Sequence, residues 1–108
     1  MRFDEIVAAA LDELPAGLAD ALRNIAVVIE DANPDDPDLY GLFEGVPLTE
    51  GGPGAGDLPS RIAIYRRPLE EDFADPEELR EEIRVTVLHE LGHYFGLDEA
   101  RLDELGYA

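Results

Sequence analysis

The segment from Asp75 to Gly96 constrains the fold more than any other part of the chain. Asp75-Pro76-Glu77-Glu78 reads as a helix start. Aspartate suits the N-cap, proline suits the first helical position, and Glu78 can complete a capping-box-like pair. The acids also favour the positive end of the helix dipole. Leu79, Ile83, Val87 and Leu91 then recur every four residues, widened by Leu88 and Phe95. That stripe predicts one long helix with a single face in the core.

The helix carries His89-Glu90-Leu91-Gly92-His93, an H-E-x-x-H motif, and these are the chain's only 2 histidines. Residues four apart on a helix lie a turn apart on one face, so both imidazoles can share one tetrahedral Zn2+. Glu90 follows a ligand in sequence but points partly around the helix. It can miss the metal and still reach a water beside it, where a general base must sit.

Gly96 bears on the third ligand. On an unbroken helix Glu99 would lie about 15 Å along the axis from His89, too far to share a metal. A glycine past the last turn can adopt the left-handed conformation and reverse the chain. H-E-x-x-H-x-x-G-x-x-[ligand] is the metzincin layout, and its third-ligand slot falls on Glu99. Two histidines and a glutamate form an accepted catalytic zinc set. Asp98 is the neighbouring alternative.

Composition narrows the function classes. At 108 residues the chain is expected to form one domain with a modest core. The absence of cysteine excludes disulfides, thiolate zinc sites and a cysteine nucleophile. A net charge of −18 argues against nucleic acid or anionic membrane as partners and would draw cationic ligands. The opening Met1-Arg-Phe-Asp-Glu enters an amphipathic pattern directly. With neither a signal peptide nor a transmembrane run expected, the cytoplasm is the expected compartment.

Before the metal helix, Phe3, Ile6, Val7, Ala10, Leu11 and Leu14 mark an amphipathic first helix. Pro15 stops it or opens a second short helix through about Arg23. Ile25–Glu30, Leu39–Glu44 and Arg61–Arg66 read as strands, with an acidic, proline-rich loop over Ala32–Asp38. The glycine-rich Gly51–Gly56 lacks the lysine and the strand-to-helix setting of a phosphate loop. Arg61, Arg66 and Arg67 form a basic cluster, read as charge balance ahead of substrate contact. Arg101–Ala108 is expected to close the chain as a short helical turn with a glycine stop.

Three pieces together resemble the small bacterial zincin-like metallopeptidases: Gly45-Val-Pro-Leu-Thr-Glu50, Pro59-Ser-Arg-Ile-Ala-Ile-Tyr-Arg-Arg-Pro68 and His89-Glu-Leu-Gly-His-Tyr-Phe-Gly-Leu-Asp-Glu99. The resemblance implies a zincin-like α+β fold. About three strands, mixed or mostly antiparallel, would pack on the H-E-x-x-H helix, with N-terminal and short C-terminal helices. By analogy with larger zincins, Arg61–Arg66 would edge the cleft and a peptide could add to it as a further strand. The chain departs from the family in having Glu99 where aspartate is expected; both are carboxylates. It also lacks a Met-turn, since Met1 is its only methionine, and only 15 residues follow His93. The cleft is therefore expected to be shallow or completed by a partner.

The activity that follows is hydrolysis of peptide bonds, with Zn2+ on His89, His93 and Glu99 and Glu90 as general base. Tyr65, Tyr94 and Tyr107 are the candidate oxyanion donors. The alternative is a zinc-binding regulatory or interaction module with little or no turnover. A di-iron carboxylate bundle would need a second E-x-x-H and no strands. Deformylase-type chemistry would need a cysteine ligand.

Overall fold

The computed structural model describes residues 2–47, 51, 54 and 59–105. Helix α1 (Phe3–Asp12) and short α2 (Ala16–Ala21) lead through a 3-10 turn into strand β1 (Ala26–Glu30). Strands β2 (Gly41–Glu44) and β3 (Arg61–Tyr65) follow, then helices α3 (Arg66–Asp72), α4 (Pro76–Tyr94) and α5 (Glu99–Leu105). The architecture is α+β with a three-stranded mixed sheet, as the resemblance implied.

The strand order is β1-β3-β2. β3 runs parallel to β1, with Val28 opposite Ala63, and antiparallel to β2, with Leu42 opposite Ala63. This corrects one expectation. Arg61–Tyr65 is the central strand, with both ladders occupied, so no peptide can add to it. Its Ile62, Ala63 and Ile64 are fully buried, as a strand covered on both faces requires.

The core lies between this sheet and the helices. α4 contributes Leu79, Ile83, Val87, Leu88 and Leu91, all buried, and α1 contributes Phe3, Ile6, Val7 and Ala10. The four-residue stripe is therefore the buried face, and α4 packs on α1, β2 and β3. Arg80 reaches Glu13 at 3.1 Å, just past the end of α1. Asp75 occupies the N-cap position and Pro76 the first turn, but the Asp75 side chain makes no capping hydrogen bond. Pairing runs through backbone instead, from Leu79 N–H to Asp75 C=O at 2.9 Å.

Helix α3 is an element the periodicity does not predict. Arg66, read as the last residue of the third strand, opens this helix instead. Pro68 falls in the first turn of α3, where its missing N–H breaks no helical bond. The arginine cluster does serve charge balance. Arg61 pairs with Glu30 and with Glu44 (3.3 Å), and Arg66 with Asp31 and Glu70, each at 2.7 Å. Most of the glycine-rich stretch lies outside the described residues, as do Gly106 and Tyr107. None of the described helices is long and apolar enough to cross a membrane.

Candidate metal centre

His89 and His93 stand on the last turns of α4, beside the core stripe, with side chains 20% and 29% exposed. Their rings meet edge to face with centroids 4.9 Å apart. Burial on one side and open approach on the other is what a metal site at a cleft floor needs.

The chain then turns back. Gly96 has φ +84°. Its N–H bonds to the His93 carbonyl and the Leu97 N–H to the Gly92 carbonyl, both at 2.9 Å. This pair of bonds is the Schellman motif, with the left-handed residue just past the helix. Asp98 next caps α5, its Oδ1 accepting from the Arg101 N–H at 2.9 Å. That cap fixes the start of α5 and hence the position of Glu99, its first residue. Asp98 thus works on the helix, away from the imidazoles.

Glu99 is brought back under the histidines. Its Oε1 lies 3.2 Å from His89 Nε2 and 2.9 Å from His93 Nε2. In a tetrahedral site with bonds of about 2.0–2.1 Å, neighbouring ligand atoms stand about 3.3 Å apart. The two distances from the Glu99 oxygen to the imidazole nitrogens therefore stand close to the edges of a tetrahedral site. The donor chemistry, nitrogen plus carboxylate oxygen with no sulfur, suits Zn2+.

Glu90 is the other carboxylate at hand. Donor atoms of His89, Glu90 and His93 all lie within 4.8 Å of one another, so these three could also hold a metal ion. Glu90 reaches less well, with Oε2 3.7 Å from His89 Nε2. Its Oε1 is already engaged, accepting the backbone N–H of Phe43 in β2 at 2.8 Å. Glu90 is only 7% exposed, and this burial raises its carboxyl above the ordinary value. The Phe43 N–H and the nearby imidazoles oppose the rise, and Glu99 adds to it.

Of the candidate oxyanion donors, Tyr65 and Tyr94 are engaged with other partners, and Tyr107 lies outside the described residues. Tyr65 is buried with its hydroxyl accepting from Asn33 Nδ2 at 3.0 Å. Tyr94 is buried between the rings of Phe43 and Phe95, at 5.9 and 5.3 Å. Both are packing residues. What sequence reasoning missed lies across the cleft. Gly41 lets β2 approach α4 closely: a Cβ there would stand 2.6 Å from Thr86 Cγ2. Tyr40 donates its hydroxyl to Asp72, a bond that pushes its pKa up to about 12. A cavity of about 300 Å3 runs from His89 and Glu90 along α4 to Glu82, closed opposite by the chain from Asp36 to Gly41. One signal was available, since Glu82, Val85, Thr86 and His89 follow i, i+3, i+4, i+7.

A family model described as zincin-like metallopeptidase matches residues 22–107, from the 3-10 turn to beyond α5. No curated protein matches the chain.

Proposed function

Since the chain belongs to the zincin-like metallopeptidase family, we propose that it is a zinc-dependent peptidase acting through the H-E-x-x-H helix. His89, His93 and Glu99 hold the metal. The observation that carries this is the placement of Glu99 Oε1 within 3.2 Å of both imidazole nitrogens. Glu90 stands farther off, with Oε2 3.7 Å from His89 Nε2 and Oε1 held by the Phe43 N–H, which leaves it for the proton. When bound, zinc supplies Lewis acidity, polarising a carbonyl and lowering the pKa of water toward neutrality.

The protein's own part is to hold and move a proton at Glu90. The Phe43 N–H anchors Oε1 and leaves Oε2 on the imidazole side of the carboxylate. Oε2 takes the proton from the attacking water as the C–O bond forms. It returns that proton to the amine as the C–N bond breaks. Burial raises the carboxyl above its ordinary value, the direction that suits a proton acceptor that must also donate. Glu99, as a charged ligand, lowers the net charge at the metal relative to a third histidine.

The test is hydrolysis of a fluorogenic peptide library by zinc-loaded protein, set against Glu90→Gln at equal zinc content. Turnover in the parent and none in the variant is the expected result. Equal turnover would remove Glu90 from the role. No turnover in a zinc-loaded parent would leave a metal-binding module on this fold.

A further inference from the structure

The wall opposite α4 is built from chain with little packing to hold it. Asp36, Leu39 and Tyr40 line the cavity across from His89 and Glu90. Pro34 to Asp38 are all exposed. Chain of this kind, with few buried contacts, keeps its shape through its hydrogen bonds.

Three of those bonds come from one side chain. Asn33 Oδ1 accepts the backbone N–H groups of Asp35 at 2.8 Å and Asp36 at 3.1 Å, which folds the loop into an Asx turn. Its Nδ2 donates to the Tyr65 hydroxyl at 3.0 Å, across 32 residues of chain. Tyr65 is 2% exposed and closes β3, so this bond ties the loop to the centre of the sheet. Tyr65 also holds the other end of the wall, its N–H donating to the Tyr40 carbonyl at 2.9 Å. Farther on, Phe43 reaches Glu90 from β2, whose place is set by the β3 ladder and not by Asn33.

We propose that Asn33 is a positioning residue for substrate: by pinning the loop to Tyr65 it sets the width of the cleft, and with it the affinity for peptide. The proposal rests on the peptidase reading above. Asparagine suits the task because one amide offers an acceptor for the turn and a donor for the tyrosine. The wall and the base have separate supports. Loss of the Asn33 side chain releases the Asp35 and Asp36 N–H groups and unpins the loop. The Phe43–Glu90 bond and the imidazoles keep their own supports. Peptide must then order the loop as it binds, and that cost appears in affinity. The chemical step depends on Glu90 and the metal centre, so kcat keeps its value.

The experiment compares the zinc-loaded parent with Asn33→Ala, Asn33→Asp and Tyr65→Phe. Calorimetry follows two probes: acetohydroxamate, which reaches only the metal, and acetyl-trialanine hydroxamate, which also lies along the cleft. Asn33→Ala is expected to weaken the peptide probe about three- to tenfold, the size of one ordering cost on binding. Acetohydroxamate should bind unchanged. KM for a cleaved peptide should rise by the same factor with kcat retained. Amide exchange at Asp35 and Asp36 should quicken while exchange in α4 holds. Tyr65→Phe removes only the hydroxyl and should weaken the peptide probe in the same way. Asn33→Asp keeps both turn bonds, and the Tyr65 hydroxyl can donate to its carboxylate, so most of the affinity should return. Equal affinity of the peptide probe for parent and Asn33→Ala overturns the proposal. So does an equal loss for both hydroxamates, or a fall in kcat at constant KM, since either marks damage at the metal centre. Loss of peptide-probe affinity in Asn33→Ala, with no peptide cleaved by the parent, would sink the peptidase reading and keep the positioning role. Cleavage with KM unchanged in Asn33→Ala would do the reverse.

Discussion

The backbone N–H of Phe43 and the carboxylate of Glu90 are joined by a 2.8 Å hydrogen bond across 47 residues of chain. A strand thereby holds the side chain proposed as the base. The bond occupies one carboxylate oxygen and limits rotation of the other, so the sheet orients Glu90 without contributing a side chain of its own. Such preorganisation matters because a base misplaced by an ångström loses much of its effect.

Gly41 sits on this connection. A Cβ there would stand 2.6 Å from Thr86 Cγ2 and 3.1 Å from the Ala63 carbonyl oxygen. Gly41→Ala is expected to push β2 from α4 and to destabilise by about 1–3 kcal/mol, the usual range for overpacking. Urea unfolding reads the stability. A companion loss in kcat with little change in zinc affinity would place the damage at Glu90. A fully stable variant would show that the close approach is slack.

The parent protein is expected to bind about one zinc per chain, and His89→Ala or His93→Ala to abolish binding. Chelation should lower the melting temperature only moderately, because the buried stripe from Leu79 to Leu91 packs without the metal. Metal analysis of dialysed protein and a thermal melt with and without chelator check both statements. Equal zinc in parent and histidine variants would end the metal assignment.

Glu99→Gln should weaken zinc binding by more than the ~100-fold upper range for groups that merely orient a ligand. Asp98→Asn should leave affinity nearly unchanged, since asparagine caps a helix as well as aspartate. Asp98→Ala removes the cap, loosens the start of α5 and costs about 0.5–2 kcal/mol. Competition with a chelating dye ranks the three. If Asp98→Asn proved the damaging change, the third ligand would have to be moved by one residue.

Gly96→Ala places a side chain at φ +84°. The left-handed conformation costs an L-residue about 1–2 kcal/mol, and relieving it unwinds the turn that returns Glu99 to the imidazoles. Both stability and zinc affinity should fall together. Retained affinity in a destabilised variant would show that α5 docks independently of the turn.

Glu82, half-buried on α4, makes stability depend on pH. Burial, and after it the charge of Glu81, raises its carboxyl above the ordinary value. A carboxyl with a raised folded-state pKa binds its proton more tightly in the folded protein. Its contribution to stability is complete below the unfolded pKa and is lost as pH rises through the folded one. Glu82→Gln is therefore expected to raise the melting temperature at pH 7, and the gain should vanish toward pH 4. A gain of equal size at both pH values would assign it to packing.

How much of this was legible beforehand follows from the range of each interaction. Local spacing put both imidazoles on one helix face, because four residues make about one turn. The glycine at 96 announced the reversal, because few other residues adopt positive φ. The buried stripe of α4 and the positions of the three strands came from periodicity alone. Asp98 and Glu99 were separable only in principle until the structure showed which one caps α5.

Tertiary structure alone decided the rest. Strand order depends on which hydrophobic faces pack together, and two parallel strands separated by over thirty residues leave no local mark. β3 therefore looked like an edge and proved to be the centre. The Phe43 N–H is carried by every residue but proline, so no residue type could advertise its bond to Glu90. The acidic loop over Ala32–Asp38 was legible as a loop, but only the fold made Asp36, Asp38 and Glu82 part of one cavity lining. Sequence wrote the candidate donors and their turn because those are short-range geometry; packing across the chain decided what stands over them.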